Sequence, residues 1–170
     1  TVNSGEEVKV VVKHFQTEAY ANEKGLSIEM AARELRYTWF AQLAKAEGCQ
    51  AIAVAHHQND QAETILLNLK RGAGIRGLCG MRAKSENPYD VMKLLGDEER
   101  IPIIRPLLCT TRDYIEHYLR DIRHLSWVED STNTDTRIKR NAIREQLKHY
   151  SKAEIENMAA TAERMQGYVD

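Results

Sequence analysis

At residue 55 the hydrophobic period of this chain changes from that of a strand to that of a helix. Gln50-Ala51-Ile52-Ala53-Val54 is a short apolar run that reads as a buried strand. Ala55-His56-His57-Gln58-Asn59-Asp60-Gln61-Ala62-Glu63-Thr64 follows it directly. After Asp60, the residues Ala62, Ile65, Leu66 and Leu69 fall at i, i+3, i+4 and i+7, one apolar stripe of a helix. Two histidines thus stand at the carboxyl end of a strand and two carboxylates open the next helix. In open α/β sheets this is where ligands bind. Asp60 and Glu63, three apart, project from neighbouring positions on one helix face, beside the apolar stripe.

These residue types admit simpler readings. Asp60 can be an N-cap with Glu63 as its N3 partner. The histidine pair can be a polar strand end. His-His-x-x-Asp also resembles the motif of metal-dependent phosphohydrolases, but no distant His or Asp motif completes such a cluster.

The remaining elements alternate. Val8 to Phe15 is β-branched and reads as a strand. Ala19 to Gly25 is a short polar helix or loop. Ser27 caps a long helix, Ile28 to Glu47, whose stripe is Ile28, Ala31, Ala32, Leu35, Trp39 and Leu43, with Gly48 as the stop. Arg33, Arg36, Tyr37 and Phe40 form a second, mixed stripe, either a solvated face or a binding face. Strand, helix, strand, helix predicts parallel βαβ units, with Val8–Phe15 pairing parallel to Gln50–Val54.

Arg71-Gly72-Ala73-Gly74-Ile75-Arg76-Gly77-Leu78-Cys79-Gly80 contains G-x-G-x-x-G, but a helix precedes it where a dinucleotide fingerprint needs a strand. Its glycines read as a helix cap and as tight backbone. Residues 82 to 100 read as a variable loop with one strand-like run, Val91 to Leu95. Ile101 to Leu108 reads as a short buried segment broken by prolines. Thr110 with Asp113 spells a capping box for a helix to about Arg120, and Ser151 with Glu154 another for the last helix. Between them lie a turn-rich acidic loop, Trp127 to Asp135, and the one basic cluster, Arg137 to Arg144.

Composition narrows the class. With 42% hydrophobic and 29% charged residues over 170 positions, this is an ordinary globular domain. A net charge of −1 offers no global basic field, so any nucleic-acid contact must be local. Cys49, Cys79 and Cys109 form no C-x-x-C pair, which argues against a zinc site or a disulfide framework. A reducing, cytoplasmic setting follows as the default. No apolar run reaches membrane-spanning length. The chain opens at Thr1 rather than Met, which reads as a piece of a longer protein.

Several motifs, in order, resemble one family. They are Ser27-Ile28-Glu29 with Ala31-Ala32-Arg33 and Arg36-Tyr37; Ala55-His56-His57 with Asp60 and Glu63-Thr64; Arg71-Gly72-x-Gly74 with Gly77-Leu78; Arg105-Pro106-Leu107-Leu108; Trp127-x-Glu129-Asp130 with Asn133; and Arg140-Asn141-x-Ile143-Arg144. Over residues 15 to 147 the chain resembles the tRNA(Ile)-lysidine synthetases of the N-type ATP pyrophosphatase (PP-loop) superfamily. The family's pyrophosphate loop, Ser-Gly-Gly-x-Asp-Ser, does not occur in these residues; Ser4-Gly5-Glu6-Glu7 is not it.

The resemblance implies a Rossmann-like α/β fold, a parallel sheet with flanking helices and a helical C-terminal extension. Residues 1–150 would be part of the catalytic domain without its first βα unit, and 151–170 a helix or the start of a linker. It implies ATP-dependent joining of free L-lysine to the wobble cytidine of an isoleucine tRNA, in the cytoplasm. Arg36 and Arg144 would stabilise phosphate charge and bind ATP. Asp60 and Glu63 would hold Mg²⁺ or the lysine ammonium, or accept its proton. His56 and His57 would line the nucleotide pocket, and Lys139 and Arg140 would contact tRNA. The resemblance admits a homodimer. The alternatives are a non-catalytic module binding tRNA or nucleotide, or a related tRNA thiolase, against which the lack of paired cysteines counts.

Overall fold

The computed structural model describes residues 9–89, 101–128 and 139–169, with the backbone alone for 139–141. Residue contacts divide the chain into two units, 1–50 with 87–101, and 51–86 with 102–170.

In the first unit, helix α1 (Thr17–Lys24) ends at Gly25, whose φ of +64° is the left-handed conformation that suits glycine. Helix α2 (Ile28–Ala46) starts as expected: Ser27 Oγ accepts the Met30 N–H at 3.2 Å. Tyr20 of α1 donates its hydroxyl to Glu34 of α2 at 2.7 Å, and this bond to a carboxylate raises the Tyr20 pKa. The buried face of α2 is not the expected stripe. Ala31, Tyr37, Ala41 and Ala44 are buried, and Ile28 is 53% exposed. Three alanines allow close approach, and the Tyr37 ring, from the mixed stripe, packs edge-on to Phe40 with centroids 5.8 Å apart.

Residues 9–15 form no strand, and Val10 and Val12 are 81% and 73% exposed. The expected parallel pairing of Val8–Phe15 with Gln50–Val54 is therefore corrected; Val8 itself lies outside the described residues. A β-branched run needs a partner ladder to become a strand, and among the described residues nothing pairs with 9–15. Strand β1 (Ile52–Ala53) pairs parallel with β3 (Ile103–Ile104), and β2 (Lys84–Ser85) pairs antiparallel on the other side of β3. The sheet of the second unit is thus small and mixed where an all-parallel one was expected; the α/β class holds. The strand at Gln50–Val54 forms where the sequence put it. Its ladder runs from Ile52 N–H on Pro102 O, 2.8 Å, to Val54 N–H on Ile104 O, 3.0 Å. Pro102 and Pro106 bracket β3 and remove donors on both sides, which limits its length.

Helices α3 (Gln58–Lys70), α6 (Lys139–Leu147) and α7 (Lys152–Val169) enclose the core of this unit. Ala62, Ile143, Leu147 and Ile155 are its buried centre, and Leu66, Leu67 and Met158 pack against them. Leu69 is 49% exposed, so the stripe of α3 stops at Leu66. Ser151 and Glu154 form the expected capping box of α7: Glu154 N–H donates to Ser151 Oγ, 3.3 Å, and Ser151 N–H to Glu154 Oε2, 2.7 Å.

The other expected capping box, Thr110 with Asp113, does not form; a simple cap one residue later starts the helix. Thr111 Oγ1, not Thr110, accepts the Tyr114 N–H and starts α5 (Arg112–His117), which continues as a π-helical turn, Tyr118–Ile122. Thr110 is unavailable because its N–H closes the preceding 3₁₀ turn, Pro106–Cys109, onto Leu107 O at 3.1 Å.

The glycine-rich stretch caps a helix, as expected. Gly72 has φ +72° just past α3, and Gly74 precedes the single turn α4 (Ile75–Leu78). At Gly77 a Cβ would stand 2.4 Å from Ala73 Cβ and 3.2 Å from Asn68 Cβ. Alanine is normally the better helix residue by about 1 kcal/mol. Here the clash decides, because the Ala73 methyl cannot move without its backbone. Gly77→Ala is expected to destabilise by about 1–3 kcal/mol, the scale of overpacking. A thermal melt showing stabilisation would contradict it. The expected strand Val91–Leu95 and the acidic loop from Glu129 on lie outside the described residues. No helix among the described residues is long and apolar enough to cross a membrane.

Candidate active site

The junction that ends β1 is pinned to the start of α5. Gln58 N–H donates to Thr110 O at 2.9 Å, and Arg112 N–H donates to Asn59 Oδ1 at 2.9 Å. Between this junction and α6 lies an open pocket of about 830 Å³, lined in part by His57, Asp60, Glu63 and Arg144. Asp113, Glu116 and Glu145 bring further acids to its wall, Arg112, Lys148 and Lys152 bring cations, and Trp127 and Tyr150 bring rings. It is a mixed-charge cleft, suited to a ligand that carries both an anion and a cation.

His57 and Asp60 form the capping box of α3. The Asp60 N–H donates to His57 Nδ1 at 3.4 Å, and the His57 N–H donates to Asp60 Oδ2 at 3.0 Å. The simple capping alternative thus holds for Asp60 with the roles moved: His57 is the cap and Asp60 its N3 partner. Accepting at Nδ1 leaves the neutral ring its proton at Nε2.

Glu63 does something else. It is 2% exposed, and Arg144 Nε donates to its Oε2 at 2.8 Å. The core explains the meeting: Ala62 and Ile143 are buried in one cluster, so the residues that follow each of them are carried to the same wall. Arg144, 38% exposed, covers the buried carboxylate and keeps a face on the pocket. A buried carboxylate is tolerable only with such a partner.

Four of the expected site residues therefore share one pocket: His57, Asp60, Glu63 and Arg144. His56 is half-buried and is not among the lining residues. Arg36 belongs to the first unit, where its guanidinium lies 5.7 Å from the Tyr37 ring centroid and that of Arg33 lies 5.1 Å from it. This pair of cation–π contacts gives the mixed stripe of α2 a structural use. Lys139 and Arg140 start α6, and their side chains lie outside the described residues. Sequence reasoning missed His57 as the cap and the α5 side of the pocket. A Thr-Thr pair before Arg112 was the only local signal for the second.

A metal centre built by the protein alone is absent among the described residues, where no three His, Cys, Asp or Glu side chains converge. Mg²⁺ demands less. It binds through one or two carboxylates and fills its shell with phosphate oxygens and water. The donor chemistry of Asp60 and Glu63 fits that pattern, although one oxygen of each is already engaged.

Residues 1–151 match the PP-loop domain family. Among curated proteins, a tRNA(Ile)-lysidine synthase of Porphyromonas gingivalis is 46% identical over 157 residues, covering 90% of this chain and 31% of that protein. That of Bacteroides thetaiotaomicron is 44% identical over 137 residues, 81% of this chain and 28% of its own. That of Thermosipho africanus is 39% identical over 140 residues, 82% and 29%. The chain thus spans about a third of the length of the curated relatives it matches. With the matched segment covering most of its residues, this chain belongs to the PP-loop domain family.

Proposed function

We propose that this chain is the nucleotide-using part of a ligase that joins the ε-amine of free L-lysine to the wobble cytidine of an isoleucine tRNA, forming lysidine. Family membership and the names of the relatives support the reaction class. The observation that carries the site is the Glu63–Arg144 pair beside Asp60 in one mixed-charge pocket. Residues 1–150 then form part of the catalytic domain, and α7 is its helical extension.

The chemistry has two steps. The cytosine C2 oxygen attacks the α-phosphorus of ATP, and pyrophosphate leaves. The lysine amine then attacks C2, the C–O bond breaks, and AMP leaves. Arg144, a lining residue of the pocket, would meet phosphate charge there and so lower the barrier where negative charge develops. The amine attacks only when uncharged, so a carboxylate must hold the ammonium and then take its proton; Asp60, the less buried of the two acids, serves that step. Asp60 and Glu63 would hold Mg²⁺, which when bound neutralises triphosphate charge. Arg36, Lys139 and Arg140 are assigned to ATP and tRNA on the resemblance alone.

The test uses the intact protein with ATP, Mg²⁺, lysine and the isoleucine tRNA, followed by digestion and mass analysis of nucleosides. Lysidine, with one AMP and one pyrophosphate released per nucleoside, is the expected result. ATP turnover without the modified nucleoside would refute the assignment. The 170-residue chain alone contains no Ser-Gly-Gly-x-Asp-Ser, whose backbone N–H groups cradle pyrophosphate in the family, and is expected to give no multiple turnover.

A further inference from the structure

A second cavity, of about 400 Å³, lies in the same unit behind the glycine-rich stretch. Arg76, Arg82 and Arg105 line it together with Ser85, Met81 and Cys79. None of its described lining residues is acidic, in contrast to the mixed-charge pocket.

Its wall is held from three directions. Arg105 is 8% exposed and donates from Nη1 to Arg82 O, 2.7 Å, and to Ser85 Oγ, 2.9 Å. Gln61, buried in α3, accepts the Met81 N–H at 2.6 Å and donates to Met81 O at 2.9 Å. Gln166 of α7 donates to Cys79 O at 2.6 Å and to Met81 O at 3.0 Å. The turn itself requires Gly80: its φ is +55°, and a Cβ there would lie 2.6 Å from Gln61 Oε1. One buried amide, one half-buried amide, one buried arginine and a left-handed glycine fix residues 79–82.

Guanidinium groups on fixed backbone present a planar fork of donors that fits phosphate and carboxylate oxygens. Among the described residues, no aromatic ring lines this cavity to stack a base, and no carboxylate lines it to hold the cation that accompanies a triphosphate. Those two features favour a phosphodiester over a free nucleotide. We propose that this pocket seats a backbone phosphate of the RNA substrate, apart from the reacting nucleotide. The proposal rests on the reading above that RNA is the substrate. Arg76, exposed, and Arg82, half-buried, make the contact, while Arg105 holds the wall.

The intact protein is titrated with the isoleucine tRNA at several salt concentrations, alongside Arg76→Ala, Arg82→Ala and the double variant. Each arginine removed should lower the slope of log affinity against log salt by about 1, and weaken binding of unrelated tRNAs equally. KM for tRNA rises, and kcat at saturating tRNA and KM for ATP stay unchanged. Arg82→Lys should keep most of the slope, and unchanged melting curves exclude misfolding as the cause. An unchanged slope in folded variants overturns the pocket and leaves the ligase reading intact. A raised KM for ATP with unchanged tRNA binding makes it a free-nucleotide site and also overturns the proposal. A wild-type protein that binds no tRNA overturns the reading beneath both.

Discussion

Arg144→Ala is expected to destabilise the fold more than any other single change at the site. The cause is Glu63, which is 2% exposed and keeps its charge tolerable by accepting from Arg144 Nε at 2.8 Å. Removing one partner of a buried pair takes away much of what offsets the other's charge, a loss of about 3–5 kcal/mol at most. Arg144 is 38% exposed, so solvent already screens part of the interaction and the lower end, about 3 kcal/mol, applies. In a domain of this size that lowers the melting midpoint by roughly 6–12 °C. Glu63→Gln should cost far less, about 1 kcal/mol, because the amide oxygen still accepts and the guanidinium can reach water. The double change, Glu63→Gln with Arg144→Ala, should therefore be more stable than Arg144→Ala alone. Equal losses for the two single variants would show that the carboxylate is not dependent on its partner. Lysidine formation should be lost in all three, since stability returns in the double variant and the charge does not.

Asp60→Asn separates a cap from a catalytic group. Asp60 Oδ2 accepts the His57 N–H at 3.0 Å, and an asparagine oxygen can accept the same bond. At N3 the side chain only has to accept this one bond, which an amide oxygen does as a glutamine does in a capping box, so the melt should move by less than about 1 kcal/mol. If Asp60 also holds the lysine ammonium or Mg²⁺, losing its charge should cut the lysidine-forming rate by roughly 10²-fold or more. We expect the large rate loss with the nearly unchanged melt. A near-normal rate would reduce Asp60 to the N3 member of a capping box. Arg144 and Arg36 would then remain as the charged candidates on the nucleotide side. The same comparison does not separate the roles for Glu63, because its carboxylate also holds Arg144 on the pocket wall.

The strand-to-helix junction at residues 50–64 was legible because its periods are local. So were the Ser27 and Ser151 caps, whose partners lie three residues away. Thr111 displaced Thr110 as a cap because a 3₁₀ turn upstream consumed the Thr110 N–H, a competition that spacing does not display. The run at 9–15 had strand composition but no ladder, and which segment pairs with β1 is a question about residues some fifty positions away.

By itself the sequence determined the α/β class, the starts of α2 and α7, and a short roster of charged residues set apart by a motif order shared with one family. Local physics suffices for these, since a cap or an amphipathic period involves neighbours within a turn or two. Only the tertiary structure decided that Glu63 is buried and answered by an arginine 81 residues away. It alone showed that three arginines scattered from 76 to 105 line one cavity. The first follows from how α3, α6 and α7 close on Ala62, Ile143 and Ile155, because burial of apolar surface fixes where charged neighbours must go; the second follows from the long-range hydrogen bonds that Gln61, Arg105 and Gln166 make to residues 79–85.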